Sequence, residues 1–266
     1  MKKYMFMAVA GMLALSSCSN DDNEQTAQNA PRQMTFTAGF GDEAPTRATL
    51  SDHSVTFDAN DEISILSTNN ANTQFTTSTG GASATFSGSA VNDSKFYALY
   101  PYQSELTLSG DVIQNVVIPS HQNCMFTTWD PEAAIAYATT TGSSLQFHNA
   151  CALLKITNDS GDDTSISISL HGSSVYPTGK FDLDTSTGTL TVQEDEGRPM
   201  VGTNVTYNNT TIYLAIAPGT YDMLMAQYYN PTADTNGNKM KMDPMNHITF
   251  EAGKIYYLGK TSDWTD

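Results

Sequence analysis

Histidines, cysteines and clustered carboxylates are the side chains from which most protein chemistry is built, and this chain spaces them in ways that support little of it. The five histidines, His53, His121, His148, His171 and His247, stand apart from one another, and each reads as a polar residue at a strand end. No G-x-S-x-G elbow, H-E-x-x-H helix or G-x-G-x-x-G turn occurs. The stretch Gly172 to Lys180 has the outline of a phosphate loop. Its glycines, however, are seven positions apart where that loop needs five, and Phe181 replaces the hydroxyl that would bind magnesium. Asp182-Leu183-Asp184 opens like a calcium loop, but Gln193 occupies the twelfth position, where a bidentate glutamate belongs. An Asx turn with Gly188 in the left-handed region explains the same residues as a hairpin. Glycosidase carboxylates meet only in the fold, so among 28 acidic residues sequence spacing selects no pair. No catalytic residue, metal or cofactor is implied, and the chain reads as a non-enzyme.

The three cysteines divide by context. Cys124 lies in a polar stretch and Cys151 in the apolar run Ala150 to Leu154, with no C-x-x-C spacing for zinc. Each can be a small buried hydrophobe, or the two can pair, since an exported chain permits a disulfide. Cys18 differs. Lys2 and Lys3 precede an apolar run too short to span a bilayer, and Leu15-Ser16-Ser17-Cys18 resembles the bacterial lipobox. Cleavage before Cys18 would remove residues 1–17 as a signal peptide and leave a diacylglyceryl anchor on the cysteine sulfur. Residues 18–33 then form a polar tether. The formal charge of −16 becomes −18 once Lys2 and Lys3 are gone. A field of that sign repels phosphate backbones, so nucleic acid is excluded as a partner.

The elements that carry the rest are short strands. In 266 residues the polar fraction is dominated by Thr, Ser, Asn and Gly, and charged residues make up only 15%. Met34, Phe36, Ala38 and Phe40 alternate along a first strand. Val55 to Phe57, Ile63 to Leu66, Gln74 to Thr77, Ala84 to Phe86, Phe96 to Tyr100 and Val112 to Ile118 follow, each stopped by Gly, Pro or an Asx turn. A second set runs from Leu145 to Leu258, with hairpin turns at Thr185 to Gly188 and Asp234 to Gly237. Thr127 to Thr141 is the one helical candidate, which a strand could equally occupy. The economical architecture is all-β: two tandem Greek-key sandwiches, residues 34–142 and 143–266. Trp129, Trp264, Tyr228 and Tyr229 are the aromatics available to a glycan-binding face, and alternation sends one of the tyrosine pair into the core.

Six segments, in order, resemble the fimbrillin-like family of Bacteroidales, the subunits of the type V pilus. They are Asp58-Ala59-Asn60-Asp61-Glu62-Ile63-Ser64-Ile65, Phe96 to Tyr102, Ile118 to Gln122, Leu145 to Lys155, Leu214 to Gly219 and Phe250 to Gly259. The acidic residues behind Cys18 likewise resemble the surface-export signal of Bacteroidetes lipoproteins. The resemblance implies two transthyretin-like β-sandwich domains and a surface-exposed outer-membrane lipoprotein of a fimbrium. Its partners would be other fimbrial subunits, an arginine-specific surface protease, and the outer membrane through the lipid on Cys18. It further implies assembly by strand exchange. Cutting between Arg47 and Ala48 would release the first strand, with its Met34, Phe36, Ala38 and Phe40, and a strand of another subunit would fill the groove. Ile255, Tyr257 and Leu258 mark the candidate donor, which reads equally well as the ordinary last strand of its own domain. Stalk, anchor, tip adhesin and non-polymerising glycan- or ligand-binding lipoprotein remain alternatives at this level.

Overall fold

A computed structural model of the chain describes residues 30–41, 56–124, 129–161, 164–229 and 238–264, the side chains of 204, 205 and 238–246 excepted. The described residues are all-β. The first ten strands are β1 (Arg32–Phe40), β2 (Glu62–Ser67), β3 (Asn70–Thr77), β4 (Ser83–Ala90), β5 (Phe96–Tyr100), β6 (Thr107–Ser109), β7 (Val112–Ile118), β8 (His121–Gln122), β9 (Ala136–Thr140) and β10 (Ser144–Asn149). Nine more follow: β11 (Ala152–Asn158), β12 (Thr164–His171), β13 (Thr178–Asp184), β14 (Thr189–Arg198), β15 (Met200–Thr206), β16 (Thr210–Ile216), β17 (Gly219–Tyr229), β18 (Asn238–Phe250) and β19 (Ile255–Lys260).

Seven of them close into a barrel in the order β1-β10-β9-β5-β2-β3-β4. Its interior is aromatic, with Phe36, Phe57, Phe75, Phe86, Phe96, Tyr100 and Phe147 around small Ala38, Ala84, Ala98, Ala136 and Ala138. The helical candidate over 127–141 carries strand β9. Ala136 and Ala138 both sit in this crowded interior, where a helix would not present them in alternation, so packing overrides alanine's helix propensity.

β2 and β5 are buried almost throughout. Their alternation serves two cores: Ile63, Ile65, Phe96 and Ala98 face the barrel, while Leu66, Tyr97 and Leu99 face outward. That outer wall packs on Ile113, Val116 and Ile118 of β7 and Phe181 and Leu183 of β13. Here β14-β13-β7-β6 form a four-stranded sheet. A third core lies between the sheets β16-β11-β19 and β18-β17-β12-β15-β8. It holds Leu154 and Ile156 against Ile166, Ile168, Leu170, Leu224 and Trp264.

Pairing crosses residue 142 in both directions. β10 joins the barrel beside β1, β7 pairs with β13, and β8 lies parallel to β15. Gln122 also ties β8 to β16. Fully buried, it donates from Nε2 to the carbonyls of Pro119 and Ala215 at 3.1 and 2.8 Å, and its Oε1 accepts from Ala215 N at 2.8 Å. The turn at Thr185 to Gly188 forms as expected. Asp184 Oδ1 accepts from the backbone of Ser186 at 2.8 Å, and Gly188 takes a φ of 75°. A side chain there would strike the Tyr137 hydroxyl, 2.5 Å from an added Cβ.

Candidate functional site

The first strand is the element on which the sequence reading rests, and its surroundings decide what it can do. β1 runs antiparallel to β4 over eight pairs, from Arg32↔Ala90 to Gly39↔Ser83. On its other side it runs parallel to β10 over four, Thr37↔Ser144 to Phe40↔Phe147. It is therefore the one strand between β4 and β10, and the barrel closes through it. Alternation gives it one wet and one dry face. Thr35 and Thr37 are exposed, while Phe36 and Ala38 are buried and Met34 and Phe40 half-buried.

The dry face enters a cage of rings. Phe36 lies 5.5 Å from Phe75 and 5.2 Å edge-on from Phe96. Phe40 stacks on Phe57 at 5.1 Å and reaches Phe147 at 5.9 Å and Tyr100 at 6.2 Å. Gly88, the partner of Met34, has the Phe75 ring over it at 2.6 Å from where a Cβ would stand, so the groove is fitted to backbone at that point. Below the rings, the Tyr100 hydroxyl donates to Asp61 Oδ2 at 3.0 Å. Burial first, and then the Asp61 charge, push the Tyr100 hydroxyl far above its usual range, so it stays a donor at every physiological pH. This bond ties the Asp58-Ala59-Asn60-Asp61 turn, in which Asp61 also caps the Asp58 amide at 2.9 Å, to the strand that ends Phe96 to Tyr100.

The candidate donor lies in another part of the molecule. β19 is an edge strand, parallel to β11 and paired on one side only. Tyr256 and Leu258 pack on the third core, Ile255 is half-buried, and Tyr257 is 58% exposed. Its far end is clipped. Asp159 Oδ1 accepts from Ser262 N at 2.8 Å and from the Thr261 hydroxyl at 3.1 Å, and its Oδ2 accepts from the Ser262 hydroxyl at 2.7 Å. Trp264 is buried just beyond. Burial alone would raise the Asp159 carboxyl, but these hydrogen bonds outweigh it and hold the group below the usual carboxylate range. Sequence reasoning missed the clip, because residues 159 and 262 are brought together only by the parallel β11–β19 pairing.

The remaining candidates stay apart. Cys18, Arg47, Ala48, His53 and the turn at Asp234 to Gly237 lie outside the described residues. Cys124 and Cys151 are free and buried in different cores, and burial pushes their thiols up to about 11 and about 12. Trp264 and Tyr228 are core residues, whereas Tyr229 is 52% exposed, as strand alternation requires. Among the described residues no three His, Cys, Asp or Glu side chains gather around a common point. No helix among them is long and apolar enough to cross a membrane.

A barrel closed by one strand and joined through shared sheets to a second β unit is an architecture that known relatives make specific. The fimbrillin-like family matches residues 46–261, so this chain belongs to the fimbrillin-like family, and β1 precedes the matched segment. Two solved structures share the fold, each described only as a candidate cell adhesion protein. One, from Bacteroides ovatus, is 12% identical with a TM-score of 0.53, covering 86% of this chain and 92% of its own. The other, from Bacteroides uniformis, is 17% identical with a TM-score of 0.52, covering 86% and 93%. A search of curated proteins finds no match.

Proposed function

We propose that this protein is a structural subunit of a cell-surface fimbria, exported as a lipoprotein anchored through Cys18 and built on transthyretin-like Greek-key units. It assembles by donor-strand exchange after a cut between Arg47 and Ala48 frees β1. The observation that carries the reading is that one strand at the chain's start is all that stands between β4 and β10. Its loss would leave two unpaired ladder edges above a floor of phenylalanine rings. A strand of another subunit with the same alternation satisfies both the ladder and the rings. The reading is further supported by membership of the fimbrillin-like family and by neighbours described as candidate adhesion proteins.

A second reading is favoured by the clip on β19. A subunit that keeps both β1 and β19 in place does not polymerise, as a tip or anchor adhesin or a glycan- or ligand-binding surface lipoprotein would not. Digestion with an arginine-specific protease separates the two. Mass spectrometry locates the cut, and an unboiled denaturing gel reports multimers. A cut after Arg47 followed by a detergent-resistant ladder supports the polymerising subunit. Resistance at Arg47, or a cut that yields only monomer, removes it and leaves an anchor, a tip or a monomeric binding lipoprotein.

A further inference from the structure

The outer face of the five-stranded sheet carries methionines. On β12 and β17, Ile166, Ile168, Leu170, Leu224, Ala226 and Tyr228 point into the third core. Alternation therefore sends Ser165, Ser167, Ser169 and His171 outward on β12, and Met223, Met225, Gln227 and Tyr229 outward on β17. The serines are what a solvated face calls for. The methionines are not, and both are only half-buried.

The register brings them together. Met223 is paired with exposed His171, and Met225 with Ser169. On the other flank Met225 is paired with Met242, and Gln227 with Met240. Two Met-x-Met sequences, Met223-Leu224-Met225 and Met240-Lys241-Met242, thus run antiparallel on adjacent strands. Directly paired residues lie about 5 Å apart, and same-face neighbours along a strand about 7 Å. An imidazole and two long, flexible thioethers across such gaps can converge on one point.

Thioethers are neutral, soft donors that select monovalent copper and bind hard cations poorly. A harder donor on this face is occupied, since Asp222 is paired to His247 at 2.7 Å. We propose that this face binds a single soft monovalent ion, Cu(I), between Met223, Met225 and His171. The site is independent of the β1 groove, which lies in the barrel.

Silver(I), which needs no reductant, is the probe. The full chain carrying Cys18→Ser, which removes a competing thiol, is labelled with carbon-13 at the methionine methyl groups and titrated with silver nitrate in chloride-free buffer. One equivalent should shift the methyl signals of Met223 and Met225 and the ring signals of His171, while Zn(II) leaves them unmoved. Leucine conserves methionine's volume, so M223L/M225L should keep its urea midpoint yet bind Ag(I) at least about tenfold more weakly. Silver taken up with no movement of these methyl signals, equal uptake by M223L/M225L, or an equal response to Zn(II) would each overturn the assignment. A methionine face that serves only to contact another protein would give the first of these results.

Discussion

Replacing Phe36 by alanine tests whether β1 is a core strand or a loosely held leader. The ring is 1% exposed and reaches across the barrel interior to Phe75 on β3 and Phe96 on β5. Truncating such a ring costs about 3–5 kcal/mol, a large share of the roughly 5–15 kcal/mol that holds a domain together. With a urea slope of about 2 kcal/mol/M, the midpoint of the barrel should fall by about 2 M. Thr35→Ala supplies the control. It sits one residue away on the same strand with its side chain in water, and its cost should stay below about 1 kcal/mol. Two probes separate the parts of the molecule: amide exchange in urea along the β1–β4 ladder for the barrel, and along the β12–β17 ladder for the third core. Phe36→Ala should move the first transition more than the second. A loss below about 1 kcal/mol, or equal effects from Phe36→Ala and Thr35→Ala, would refute the view that β1 completes the barrel.

Gln122→Ala should cost about 2–3 kcal/mol in urea unfolding, because it orphans the buried amide and carbonyl of Ala215; a loss under about 0.5 kcal/mol would mean that water replaces the amide. Cys124 and Cys151, buried and with thiols near 11 and 12, should resist iodoacetamide at pH 8 in the native state and react once unfolded, as intact-mass measurement will show. The clip should be acid-labile. Asp159 has a lowered folded-state pKa, so its contribution is complete above the usual value of 3.8 and is lost as pH falls through the lower folded value. Amide exchange at residues 260–264, read relative to the β12–β17 ladder, should therefore accelerate below about pH 4 and not between pH 5 and 8.

Much of this was legible in the residues. The alternation of Met34, Phe36, Ala38 and Phe40 fixes the dry face of β1, and the Asx-Gly turn fixes the β13–β14 hairpin. Both are local signals, written within a few positions. What was not legible is long-range. Nothing near β7 marks it as the partner of β13, because a strand with one buried face looks the same whichever sheet it joins. The segment 127–141 was open to helix or strand for a related reason: alanine reports a helix in isolation and a tight fit in a barrel. The glycan-binding aromatics thinned for the opposite reason, since burial of Trp264 and Tyr228 is set by strands that the sequence does not join. The site's floor, with Phe57, Phe75, Phe96 and Phe147 drawn from four separate stretches, could be listed as core but not assembled.

If the space β1 occupies is a strand-acceptor groove, a competing peptide should enter it. After arginine-specific cleavage, the chain is incubated with a synthetic peptide of residues 32–41, or with the same peptide carrying Phe36→Asp, and run unboiled on a denaturing gel. A ladder should form without peptide, be suppressed by the native peptide, and persist with the substituted peptide, whose added carboxylate cannot enter the ring cage. A ladder indifferent to both peptides, or no ladder at all, would contradict a strand-acceptor groove.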